Sequence, residues 1–66
     1  MDLDRLNVLI VEMGITKVAL AKHLGITPQG LYLKLKGTND FTRREVSILC
    51  DVLRITDLKE KEAIFF

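Results

Sequence analysis

Apolar residues recur three and four apart in five segments of the chain, a spacing that predicts five short helices and an all-α fold. The first segment runs from Asp2, an N-cap, to about Met13, with Gly14 closing it. Leu3, Leu6, Ile10 and Met13 form one stripe, and Leu9 lies beside it. Val8 and Val11 make the opposite side partly apolar as well, which predicts a helix either sandwiched inside the bundle, the preferred reading, or used for association. In the second segment Thr16 caps a helix whose Leu20, Ala21 and Leu24 share a face. Gly25 stands where that helix must stop, in a left-handed conformation that only glycine adopts cheaply. Ile26 is expected as a buried plug. Thr27 and Pro28 then start a third helix as N-cap and first helical residue, with Leu31 and Leu35 inward and Gly37 at its end. Gly30 weakens this helix by roughly 1 kcal/mol relative to alanine.

After the loop Thr38-Asn39-Asp40, Thr42 and Glu45 have the spacing of a capping box, and Phe41 can staple onto Val46. That fourth helix continues to about Leu53, with Val46, Leu49, Cys50 and Leu53 inward. The fifth begins near Thr56 or Asp57, where Asp57 and Glu60 suggest a second capping box, and ends at Ile64-Phe65-Phe66. One of the two terminal phenylalanines is expected to dock on the first helix. The other is available to a dimer interface, since burying a Phe contributes roughly 1.5–3 kcal/mol. Residues 1–66 therefore read as one compact domain, near the lower size limit for a self-sufficient core.

Composition narrows the function more than the fold. Apolar residues make up 48% of the chain, enough for a core and too many for disorder. No apolar run is long enough for a bilayer and no leader pattern opens the chain, so a cytoplasmic location is expected. Cys50 has no second thiol for a disulfide or a zinc site, and its apolar neighbours predict inert burial. One histidine, one cysteine and no glycine-rich phosphate loop leave enzymatic or cofactor chemistry little to rest on. Asp2 and Asp4 do not converge on a pocket. The expectation is no enzyme, no cofactor and no small-molecule ligand.

The net charge of +1 hides a division along the chain. Residues 17 to 44 carry Lys17, Lys22, Lys34, Lys36, Arg43 and Arg44 against Asp40 alone, or +5, while each flanking segment carries −2. Basic charge is thus concentrated in the second and third helices and the loop after them, the footprint of a polyanion partner.

Two short helices joined by a tight turn over residues 16 to 37 form a helix-turn-helix layout. At Lys17, Ala21, Gly25, Ile26, Thr27, Leu31 and Gly37 the chain resembles the Cro/repressor class of phage and bacterial DNA-binding domains, with lambda repressor-like folds. The resemblance covers nearly the whole chain and is most specific in the turn. Lys34 departs from it, lying near a position where such domains often have an apolar residue. The resemblance implies that the third helix enters the major groove by its N-terminal part, while the second crosses the backbone.

With Leu31 and Leu35 inward, about 100° per residue turns Gln29 and Leu33 outward, puts Gly30 and Lys36 on the outer flanks, and sets Tyr32 and Lys34 to either side. The implied base readers are Thr27, Pro28, Gln29, Gly30, Leu33 and Lys34. Gln29 matches the adenine edge, Leu33 suits a thymine methyl, Gly30 permits close backbone approach, and Lys34 reaches guanine or a phosphate. Thr27 serves DNA only if its cap bond is shared. The implied phosphate contacts are Thr16, Lys17, Tyr32, Lys36, Arg43 and Arg44. Thr16 and Lys17 open a helix whose N-terminus favours an anion. Arg43 and Arg44 sit in a helix first turn, where cations oppose the dipole, and that placement argues for an intermolecular role. Tyr32 is equally suited to pack against the last helix, and His23 reads as plain surface.

The leading expectation is a sequence-specific regulator of phage or prophage type that occupies a double-stranded operator. A homodimer, assembled on the DNA itself, would meet an inverted repeat. The alternative is a protein-interaction module of the same fold, an anti-repressor or adaptor, using Leu33, Tyr32 and Phe65-Phe66.

Overall fold

Each of the five helices starts at a side chain that accepts a hydrogen bond from an otherwise orphaned backbone N–H. The computed structural model describes residues 1–66: α1 is Leu3–Met13, α2 Lys17–Leu24, α3 Pro28–Lys36, α4 Arg43–Val52 and α5 Leu58–Phe65. Asp2 accepts from Arg5 N–H at 3.0 Å, Thr16 from Ala19 at 3.1 Å, and Thr27 from Gly30 at 3.0 Å. At α4 the capping box forms in full: Thr42 Oγ1 accepts from Glu45 N–H at 3.1 Å, and Glu45 Oε1 accepts from Thr42 N–H at 2.7 Å. The second expected box does not form. Asp57 accepts from Lys59 N–H at 3.0 Å, and Glu60 instead accepts from Arg5 across the α1–α5 interface at 3.3 Å.

Helix ends follow the glycines in α1, α2 and α3. Gly37 combines a φ of 94° with a site where an added Cβ would lie 3.3 Å from Leu3 Cδ1, so backbone and packing both call for glycine. Helix α4 ends without one. Arg54 takes the left-handed conformation at φ 56°, and Ile55 N–H closes the turn on Cys50 O at 2.8 Å.

Leu6, Ile10, Leu20, Leu24, Leu31, Leu49 and Ile64 are fully or nearly fully buried and form the centre of one core. Helix α3 packs on α2 and α1, α4 on α2, and α5 on α1. Asp2 N–H donates to Ile64 O at 2.6 Å, tying the start of α1 to the end of α5. Phe65 is buried, as one of the terminal pair was expected to be, whereas Phe66 is 89% exposed.

Helix α1 is not sandwiched. Val11 is 76% exposed, and Val8 and Met13 also face outward. The helix lies at the edge of a bundle only 29 × 23 × 20 Å across, and α3 and α5 cover one side of it alone. Ile26 is partly rather than fully buried, packed against the core from the turn. No helix is long and apolar enough to cross a membrane.

Candidate nucleic-acid interface

Leu20, Ala21 and Leu24 bury one face of α2, and Leu31 and Leu35 bury the facing side of α3. Between them, Gly25 N–H donates to Lys22 O at 3.1 Å and Ile26 N–H to Ala21 O at 3.0 Å. These bonds close α2 at the turn, from which α3 starts and packs back on α2. The turn is also held from α4. Arg44 Nη2 donates to Leu24 O at 2.8 Å, placing a guanidinium at the negative end of the α2 dipole.

The outward face of α3 is largely as the helical angles require. Thr27, Pro28 and Gln29 are exposed at its start. Gly30 and Leu33 are half-covered, and Leu33 is not among the residues packed on the core. A Cβ at position 30 would stand 3.1 Å from Thr27 Oγ1, so the glycine leaves room for the cap hydroxyl. Tyr32 is 55% exposed, and Lys36 Nζ lies 5.9 Å from its ring centroid in a cation–π arrangement. Thr16 and Lys17 are exposed at the start of α2.

Lys34 does not belong to this face. Its ammonium donates to Glu45 Oε1 and to Asp40 O, both at 2.9 Å, and lies 5.8 Å from the centroid of the Phe41 ring. The Lys34 side chain is only 15% exposed and that of Glu45 4%. Lys34, expected to reach guanine or a phosphate, is here engaged within the protein: a buried carboxylate needs a counter-charge, and Lys34 supplies it. Burial pushes the Glu45 carboxyl up, but the Thr42 N–H, the Lys34 ammonium and the Thr42 hydroxyl together outweigh it and hold the group below its ordinary range. No buried side-chain polar atom is left without a partner.

The two arginines at the start of α4 diverge. Arg44 is engaged with Leu24 O, which gives its place in a helix first turn a partner within the molecule. Arg43 is exposed and lines a groove with Met1, Phe41, Val46, Phe65 and Phe66. Cys50 is buried, and its thiol is pushed up by that burial, in keeping with inert packing. No group of His, Cys, Asp and Glu is arranged to hold a metal ion.

Sequence reasoning assigned Glu45 to capping and missed its bond to Lys34. The only signal was that Lys34 stands near a position where the resembled family often has an apolar residue, which does not name its partner. The Arg44 bond to Leu24 had no comparable signal.

A family model described as the Cro/C1-type HTH DNA-binding domain matches residues 5–60, and the chain belongs to that family. No curated protein and no solved structure matches it.

Proposed function

We propose that this Cro/C1-type domain is a sequence-specific regulator of transcription, a repressor of phage or prophage type that reads the major groove with α3. The family supports a DNA-binding regulator in general. The observation that carries the finer reading is the division of α3. Leu31 and Leu35 anchor one side, while Gln29 stands exposed on the other near the helix start.

In this reading Gln29 is the principal base reader. Its amide donates and accepts together, matching adenine N6 and N7 with roughly 1–3 kcal/mol of discrimination. Leu33 meets a thymine methyl, Gly30 lets the backbone approach, and Thr27 and Pro28 bring the helix start to the groove edge. The α2 N-terminus with Thr16 and Lys17 binds one phosphate. Lys36, with Tyr32 beneath it, binds another, and the unpaired Arg43 extends the grip. Lys34, bonded to Glu45, and Arg44, bonded to Leu24 O, act in this reading as supports of the surface and not as direct ligands.

Repression follows from occupancy, since a protein seated on an operator excludes polymerase. Two copies on an inverted repeat would place their α3 helices about one helical turn apart. The exposed Phe66 and the adjoining groove offer the apolar surface for that pairing. The site of action is the cytoplasm of a bacterial cell or phage-infected host, on the nucleoid.

Selection from a random duplex pool at low salt tests this directly. An enriched inverted repeat, with an adenine whose preference Gln29→Ala abolishes, is the expected result. A single half-site would remove the paired arrangement. No enrichment by folded protein would overturn DNA reading and favour a protein partner.

A further inference from the structure

Lys34 makes the only side-chain hydrogen bonds that run from α3 to another part of the chain. Its two acceptors, Asp40 O and Glu45 Oε1, lie in the α3–α4 loop and the first turn of α4. The same carboxylate oxygen accepts the Thr42 N–H, so one atom joins the end of α3 to the start of α4. The loop is fastened to α3 in addition by Thr38 N–H, which donates to Leu33 O at 3.0 Å.

The buried face of α3 consists of two leucines. Apolar contacts of that kind resist separation but are non-directional, so they fix rotation about the helix axis poorly. A buried ion pair adds little net stability over well-packed apolar residues, yet its bonds are directional. Turning α3 away from its present angle would break both charge-assisted bonds at once. Gln29 and Leu33 are rigidly carried by the same helix, so any turn moves them across the base edges.

Resting on the DNA-reading assignment above, we infer that Lys34 and Glu45 are positioning residues of the reading surface. Their pair sets the rotation of α3 against α4, so that Gln29 and Leu33 meet bases in the register at which Lys17 and Lys36 meet phosphates.

The test compares wild type with Lys34→Met, Glu45→Gln and Lys34→Arg on the selected duplex and a scrambled one, across a salt series. Glu45→Gln keeps an acceptor for the Thr42 N–H and so separates the ion pair from the cap. Lys34→Met and Glu45→Gln are expected to lower the preference for the selected duplex on the order of 10-fold, the size of one lost base contact. Their salt slopes stay at the wild-type value, and Lys34→Arg recovers most of the preference. In the free protein, Lys34→Met speeds amide exchange at Thr38 and Asn39 while α1 and α5 keep their protection.

A Lys34→Met slope reduced by about 1 would make Lys34 a direct phosphate ligand and overturn the inference. Unchanged preference in Glu45→Gln would overturn it too, and this holds even if Lys34→Met fails to fold. A wild type without any preferred duplex defeats DNA reading itself, and the positioning role with it. Loss of preference confined to the variants leaves DNA reading intact and supports the inference.

Discussion

Glu45 is the residue whose environment departs furthest from its chemistry in water: 3% exposed, charged, and bonded to Lys34 and Thr42. Its folded carboxyl titrates below the ordinary value of 4.5, so ionisation favours the folded state. That stabilisation is fully present above the unfolded value and is lost as pH falls through the folded one. Thermal melts from pH 6 down to pH 3 should therefore show wild type losing stability more steeply than Glu45→Gln, which has no carboxyl at that site. Gly30 poses an opposite balance. Replacing it with alanine restores helix propensity, roughly 1 kcal/mol at an interior position, but crowds Thr27 Oγ1 at 3.1 Å. Thr27 is exposed but its hydroxyl is held by the cap bond from Gly30 N–H at 3.0 Å, so shifting it offsets part of the gain, and at most a small net rise in melting temperature is expected for Gly30→Ala. If the backbone there approaches the groove, the same substitution weakens duplex binding. Stability and affinity would then move in opposite directions, as expected of a position whose room is needed at the DNA surface.

Among the elements, the four sharp helix starts and three glycine ends of α1 to α4 were readable because each is a contact within about three residues. The end of α4 was not. Arg54 adopts φ 56° with no glycine to announce it, held there because Ile55 beyond it is buried and its N–H reaches Cys50 O. A left-handed conformation costs a non-glycine residue roughly 1–2 kcal/mol. Arg54→Gly should remove that strain and raise stability by about 1 kcal/mol in chemical denaturation, less the added entropy of the unfolded glycine. A destabilised variant would mean that the Arg54 side chain contributes more than its backbone strain costs. The expected box at α5 failed for a related reason. Glu60 had two possible partners, its own helix start and Arg5 on α1, and only the packing of α1 against α5 brought the second within reach.

At the scale of the whole molecule, charge is distributed differently from its tally along the chain. The central segment carries six cations, but the ammonium of Lys34 faces Glu45 and the Arg44 guanidinium faces Leu24 O. A neutral carbonyl cancels none of the Arg44 charge, so the outward field rests on Lys17, Lys22, Lys36, Arg43 and the exposed Arg44. Each of these that contacts a phosphate contributes about one unit to the dependence of log affinity on log salt. Lys36→Gln and Arg43→Gln should each flatten that slope by about 1 in titrations on a single duplex, whereas Arg44→Gln should lower stability with little change in slope. An Arg44→Gln variant that flattens the slope as much as Lys36→Gln would return Arg44 to the phosphate contacts.

Thr16, Thr27, Thr42, Gly25 and Gly37 set where the helices begin and end, and the leucines four apart set which side of α3 is hidden. These choices depend on neighbours one helical turn away, so the linear order of residues contains them. The pairing of Lys34 with Glu45 spans 11 residues, and the bond from Arg44 to Leu24 spans 20. The exposure of Val8 and Val11 likewise depends on which helices happen to cover α1. Such contacts exist only once the helices have docked, because each cation had several acceptors within its reach and the packing of apolar faces selected among them.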